Sequence, residues 1–218
     1  EVGDEALLHA ADGPTWIARD RVAGAKAAIA AGARVIVMDD GFQNPTLRQD
    51  LALVVIDAQA GVGNRKVFPA GPLRERLADG LSRADAFVLM GEGEVPDWAK
   101  AAGKPVFRAR LEPLAAPPSG PLVAFAGIAR PEKFFDGLKA AGGAIAEAVP
   151  YADHHRFSEA ELRWLETLAK ERAAALIATE KDHVRLPPAW RSRVASFAVA
   201  ARFEDEAGLA SLLARTAR

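Results

Sequence analysis

Short apolar runs recur along this chain and stop abruptly at acid or at a polar turn. Residues 35–38 (Val-Ile-Val-Met) end at Asp39-Asp40, and residues 51–56 (Leu-Ala-Leu-Val-Val-Ile) end at Asp57. Runs that are apolar at successive positions suit strands covered on both faces. Such strands belong in an open parallel sheet, whose ligand-binding edge lies at the strands' carboxyl ends. Asp39 and Asp40 are therefore expected at that edge. Side by side they repel each other unless a cation or hydrogen-bond donors lie near. Gly41 frees the backbone for a sharp turn.

Between the runs lie helical stretches, which makes the fold class α/β. Residues 16–31 are Ala-rich with apolar positions a helical face apart, and Gly32 stops them. Residues 60–75 hold three glycines and two prolines and read as a long shaped loop. A helix opens at Arg74-Glu75 and runs through Leu81. A strand at 86–90, a helix at 98–102 and a strand at 106–111 follow. Residues 112–121 contain four prolines and mark a domain boundary. The expected division is a first domain over residues 1–112, a linker over 113–121 and a smaller α/β domain over 122–218. In the second half, strands at 122–126, 144–149, 174–178 and 194–199 alternate with helices at 131–141, 158–171 and 206–214. Ser158 with Glu161 reads as a capping box.

Composition excludes several classes. Half of the 218 residues are hydrophobic, enough for a real core, and the net charge of −1 gives no field toward nucleic acid or anionic lipid. The absence of cysteine excludes disulfides and thiolate metal sites. No apolar stretch approaches the ~20 residues that span a bilayer. The chain starts at Glu1 without Met, as expected of an internal piece of a longer protein.

Several clusters could carry chemistry. Asp39-Asp40 looks like the acidic strand end that holds a phosphate-bound Mg²⁺ in nucleotide hydrolases and kinases. Alternatively Asp39 caps the following turn and Asp40 is solvated. Asp153-His154-His155-Arg156 pairs carboxylate with imidazole and suits an oriented base, a metal ligand, or a polar loop that opens a helix. Thr179-Glu180-Lys181-Asp182 follows an apolar run and is either a ligand-edge turn or a solvated charged one. No Gly-x-x-x-x-Gly-Lys-Ser/Thr occurs, so a phosphate loop for a nucleotide triphosphate is expected upstream of Glu1 or in another chain.

Seven segments in order, spread over nearly the whole chain, resemble the tetraacyldisaccharide 4′-kinase family, the lipid A kinases of Gram-negative bacteria. They are residues 2–5 (Val-Gly-Asp-Glu), 37–43 (Val-Met-Asp-Asp-Gly-Phe-Gln), 61–64 (Gly-Val-Gly-Asn), 69–75 (Pro-Ala-Gly-Pro-Leu-Arg-Glu), 125–131 (Phe-Ala-Gly-Ile-Ala-Arg-Pro), 153–157 (Asp-His-His-Arg-Phe) and 178–182 (Ala-Thr-Glu-Lys-Asp). The resemblance implies two α/β/α three-layer domains with largely parallel sheets, the first P-loop-NTPase-like and truncated here, the second smaller. It implies transfer of the ATP γ-phosphate to the 4′-hydroxyl of a lipid-linked glucosamine disaccharide 1-phosphate, with ATP and Mg²⁺. It places the enzyme peripherally on the cytoplasmic face of the inner membrane, held there by a segment before Glu1. This chain is then soluble and inactive by itself, and has no nucleic-acid partner.

Residue by residue, the resemblance gives Asp4 as the base for the 4′-hydroxyl and His154 as its partner, reaching across from the second domain so that the pair assembles on closure. Asp40, Gln43 and Glu75 match the set around the metal, and Asp39, Asp40, Gln43, Arg74 and Glu75 the set around the nucleotide. Two positions depart from the family: Asn44 stands where His is usual, and Ala60 where Arg is frequent. The competing readings are a metal-dependent sugar-nucleotide transferase or hydrolase with Asp39 and Asp40 as direct ligands, and a non-catalytic nucleotide- or lipid-binding module.

Overall fold

A computed structural model describes residues 3–216, without the side chains of Asp4 and Thr216. Along the chain run α1 (Asp4–Asp12), α2 (Arg21–Ala30), β1 (Leu53–Asp57), α3 (Leu77–Arg83), β2 (Ala86–Met90), α4 (Asp97–Ala101) and β3 (Val106–Pro113). Then come β4 (Pro121–Ala126), α5 (Pro131–Ala140), β5 (Ala144–Pro150), α6 (Glu159–Glu171), β6 (Ala175–Thr179), α7 (Glu180–Arg185), α8 (Pro188–Arg191), β7 (Val194–Phe197), β8 (Val199–Phe203) and α9 (Glu206–Thr216). The fold is α/β with largely parallel sheets.

Contacts divide the chain into two compact units. One holds residues 1–17 and 113–200, the other 18–112 and 201–218. This division meets the expected one near Glu112/Pro113 and differs at both chain ends. At the start, α1 packs against α7, and Lys181 Nζ donates to Glu5 Oε1 at 2.5 Å. At the end, β8 takes the place beside β3 in the first sheet.

The unit of residues 1–17 and 113–200 is built on a sheet of order β5-β4-β6-β7 with every pairing parallel. Side chains alternate across a strand, and β4 uses both faces. Val123 and Phe125 join Phe157, Leu162, Leu165 and Trp190 in one core layer. Leu122, Ala124 and Ala126 join Phe134, Phe135 and Leu138 in the other. Helices thus cover both faces, which is why the run at 122–126 is apolar without interruption. Each fully buried Phe or Leu contributes about 1.5–3 kcal/mol. α6 begins where the capping box predicts: Ser158 Oγ accepts from Glu161 N, and Glu161 Oε2 accepts from Ser158 N.

The other unit has the order β1-β2-β3-β8, with β1–β2 and β2–β3 parallel. Its core gathers Ile56, Phe87, Leu89 and Ala99, with Trp98 edge-on to Phe87 at 5.8 Å between ring centroids.

Three expectations for the first half of the chain need correction. Residues 35–38 form no strand, and Val37 is 92% exposed. β-branched side chains favour a pleated surface, but a strand also needs a neighbour's backbone to bond, and among the described residues these four have no ladder. The helix expected over 16–31 starts at Arg21, because Asp20 caps it by accepting from Val22 N and Ala23 N at 2.9 and 3.2 Å. The helix expected from Arg74 starts at Leu77, which leaves Arg74 and Glu75 in loop backbone.

Candidate functional site

Two groups of polar side chains stand out, one in each unit. In the unit of residues 18–112 and 201–218, the turn after Met38 carries Asp40 in the left-handed region at φ 51°. Arg21 donates to the carbonyl oxygens of Asp39 and Asp40, each at 3.4 Å. Arg74 Nη1 and Nη2 reach Asp40 Oδ2 at 3.3 and 3.4 Å. Both side chains are mostly exposed, so this ion pair is worth at most about 1 kcal/mol. Its importance is where it holds the carboxylate.

Glu75 is better held. Arg83 donates to both its oxygens, at 2.7 and 2.8 Å, and Gln43 Nε2 donates to Oε1 at 3.1 Å. The forked Arg83 contact, with help from Gln43, holds the Glu75 carboxyl below its usual range despite the opposing effect of burial. The Arg83 guanidinium also lies 4.7 Å from the centroid of the Phe42 ring. Phe42, Gln43, Asn44, Leu47, Gln49 and Arg83 line a half-open cavity of about 380 Å³. Asn44 has its Oδ1 taken up by the backbone and hydroxyl of Thr46, at 2.9 and 2.5 Å.

The loop before Arg74 is closed by its own bonds. Asn64 Nδ2 donates to Ala70 O at 2.8 Å, Phe68 N to Leu73 O at 2.9 Å and Leu73 N to Lys66 O at 3.1 Å. A Cβ at position 71 would lie 2.1 Å from Asn64 Oδ1 and 2.4 Å from Lys66 O. Only glycine fits there, and the closed loop delivers Arg74 and Glu75 to the acidic turn.

In the unit of residues 1–17 and 113–200, the second group gathers at the carboxyl ends of β4, β5 and β6, which are neighbours in the sheet. Gly127 follows β4, His154 follows β5 and Asp182 lies on α7 just after β6. Asp182 is fully buried. Its Oδ2 accepts from Thr179 Oγ1 at 2.6 Å and Gly127 N at 3.1 Å, and its Oδ1 from Arg185 Nη1 at 3.1 Å. Arg185 Nη1 also donates to Gly127 O at 3.0 Å, and Arg185 Nη2 reaches His154 Nδ1 at 3.1 Å. His154 is left-handed at φ 58°, a strained backbone for a non-glycine residue. That turn is held by donation from His154 N to Gly127 O at 3.0 Å. The next residue, His155, faces elsewhere: it stacks on Tyr151 at 4.6 Å and bonds Glu161 Oε1 at 3.0 Å.

The predicted residues fall as follows. Asp40 meets Arg74, Gln43 meets Glu75, and Asp39 is bonded through its carbonyl oxygen. His154 belongs to the other unit. Asp4 opens α1, and its side chain lies outside the described residues. Residues 1–17 belong to the same unit as the His154 loop, whereas the sequence placed Asp4 and His154 in different domains; what the two residues do together is taken up as a proposal below. Reading the sequence missed Arg83, Asp182 and Arg185 as organisers. Thr179-x-x-Asp182 was the available signal for the second group: a hydroxyl N-cap with an acid three residues on marks a capped helix start rather than a free turn.

The protein is an α/β protein with polar groups gathered at the carboxyl ends of parallel strands, the edge at which open sheets of this class bind ligands. The family model described as tetraacyldisaccharide-1-P 4′-kinase matches residues 1–218. Among curated relatives, the tetraacyldisaccharide 4′-kinase of Hyphomonas neptunium is 55% identical over 98% of this chain and 64% of its own length. That of Phenylobacterium zucineum is 51% identical over 96% of this chain and 67% of its own. The crystal structure of LpxK from Aquifex aeolicus in complex with ATP superposes with a TM-score of 0.68, at 24% identity, over 92% of this chain and 64% of that one; this likeness speaks to the fold. The chain belongs to the tetraacyldisaccharide-1-P 4′-kinase family, and it spans about two thirds of the length of the relatives it matches.

Proposed function

We propose that this chain is part of an enzyme that phosphorylates the 4′-hydroxyl of a tetraacylated glucosamine disaccharide 1-phosphate, with ATP as phosphoryl donor. The carrying observation is the family match over every residue of the chain. The kinase works peripherally at the cytoplasmic face of the inner membrane. Among the described residues no helix is long and apolar enough to cross a membrane.

The residues on the acidic turn fit a nucleotide-bound Mg²⁺ better than a metal caged by protein alone. Among the described residues no group of three or more acids and histidines could hold an ion, and Mg²⁺ is usually held by one or two carboxylates plus phosphates and water. Asp40, with Asp39 beside it and the Gln43 amide oxygen, would hold the cation. Glu75 already accepts from Arg83 and Gln43, so its part is to fix the Gln43 amide. When bound, Mg²⁺ neutralises charge on the phosphates. Arg74 orients the Asp40 carboxylate. Asp4 takes the proton of the 4′-hydroxyl, and His154 works beside it.

The test is transfer of labelled phosphate from ATP to the disaccharide 1-phosphate, for this chain and for the full-length protein. Phosphorylation at the 4′ position by the full-length protein is expected. Replacing Asp4 or His154 by Ala in that protein lowers turnover about 10²- to 10⁴-fold, and the double variant loses far less than the product of the two. No transfer by the full-length protein would overturn the proposal.

A further inference from the structure

Arg185 can only donate hydrogen bonds, and one of its nitrogens points at an imidazole nitrogen. A guanidinium carries no acceptor and keeps its protons in any folded protein. The 3.1 Å contact from Arg185 Nη2 to His154 Nδ1 therefore requires Nδ1 to be the acceptor. In the neutral ring the single proton then sits on Nε2. We propose that Arg185 is the positioning residue for His154, fixing the imidazole as the Nε2–H tautomer. This rests on the reading above that His154 belongs to the kinase site.

Arg185 is itself held so that the contact persists. Its side chain is 7% exposed, and its carboxylate partner Asp182 is fully buried. Nη1 is shared between Asp182 Oδ1 and Gly127 O. Gly127 O also accepts the backbone N–H of His154, so one carbonyl oxygen ties the backbone of His154 to the arginine that reads its ring. Asp182 is fixed in turn by Thr179 Oγ1 and Gly127 N. A Cβ on residue 127 would lie 3.0 Å from His155 Cβ and 3.2 Å from Asp182 Oδ1, so glycine is what lets the strand end approach this closely.

The consequence is a division of labour. A neutral His154 locked in this tautomer presents an N–H at Nε2, not a lone pair. From Nε2 it donates a hydrogen bond to an oxygen; it does not accept the substrate proton there. The proton of the attacking hydroxyl must then pass to a carboxylate, which is Asp4 in the reading above. Asp153 Oδ2 lies 3.8 Å from His154 Nε2.

The ring-nitrogen ¹⁵N shifts of the 218-residue chain, labelled at histidine, test this directly. The His154 signals are assigned by their loss in His154→Gln. At a pH where the ring is neutral, Nδ1 is expected in the unprotonated region and Nε2 in the protonated region. Arg185→Met is expected to move both His154 shifts toward the average of the two tautomers, leaving His9 and His183 in place. Arg185→Lys, which keeps a donor, restores the parent pattern. In the full-length kinase, Arg185→Met lowers kcat about 10- to 100-fold, and Arg185→Lys recovers most of it. A proton on Nδ1 in the parent chain overturns the proposal even if no variant folds, and so do His154 shifts that ignore Arg185→Met. The shifts are read without any kinase assay, so a failed phosphotransfer reading leaves the tautomer result standing.

Discussion

Replacing Asp182 with alanine removes a fully buried carboxylate that accepts from three other residues. Left behind are the Arg185 guanidinium, 93% shielded from water on a side-chain exposure of 7%, and the Gly127 N–H. Removing one partner of a buried ion pair costs about 3–5 kcal/mol, and an orphaned buried N–H about 1–3 kcal/mol. Both losses arise at one site, so they do not add, and about 3–5 kcal/mol is expected. That is a large part of the ~5–15 kcal/mol that holds a typical domain. With a urea slope of about 2 kcal/mol per molar, the unfolding midpoint falls by about 1.5–2.5 M. Trp16, Trp164 and Trp190 belong to the same unit as Asp182, and Trp98 to the other. Tryptophan fluorescence in a Trp98→Phe background therefore follows the unit that matters. Arg185→Met should cost a similar amount, because it leaves the buried carboxylate without its counter-charge. The double variant, which removes both charges, should be far less destabilised than the sum. A midpoint that moves by under about 0.5 M for Asp182→Ala, or full additivity in the double variant, would refute the account of a buried, mutually dependent pair.

Three further outcomes follow from the other unit. The Glu75 carboxyl lies below its ordinary value near 4.5, so its pairing contributes stability above the ordinary carboxylate range, and that share is lost as pH falls through the lower folded-state pKa. Carboxyl NMR titration should show the Glu75 midpoint rising in Arg83→Met; an unmoved midpoint would contradict the assigned cause. Lys104 Nζ donates to Leu81 O at 2.6 Å, to Ser82 O at 3.0 Å and to Ala84 O, closing the end of α3. Lys104→Met should cost about 1–3 kcal/mol in urea unfolding, and a loss under a few tenths would show the cap to be idle. Gly71→Ala forces a methyl into Asn64 Oδ1 and Lys66 O. About 1–3 kcal/mol of strain is expected, read as faster proteolytic nicking within residues 60–73; an unchanged digestion rate would argue against the closed loop.

Much of the second half of the chain was legible because its signals are local and agree with one another; the single strand expected over 194–199 instead divides into β7 and β8, which lie in different sheets. Residues 122–126 are apolar throughout and form β4, buried on both faces. Ser158 and Glu161 form the capping box they spell. Pro131 opens α5 as a first-turn proline should. The resemblance likewise singled out Asp40, Gln43, Arg74 and Glu75, and the structure joins them in pairs. The first half misled where pairing mattered. Residues 35–38 have the composition of a strand, and composition carries no information on whether a neighbouring backbone is there to bond.

What the sequence by itself determined is the α/β class, the helix capped by Ser158 and the ordered segments that mark the family. These depend on spacing along the chain, where propensity and periodicity act. The tertiary structure alone decided that the Asp182 carboxylate is buried rather than solvated, and that Arg185 spans from it to His154. The Arg185–His154 contact joins residues 31 positions apart, brought together because β5, β4 and β6 lie side by side. A charged turn at a sheet edge reads the same in sequence whether water or an arginine faces it. The difference is set by what packs on top, and packing is a property of the folded chain.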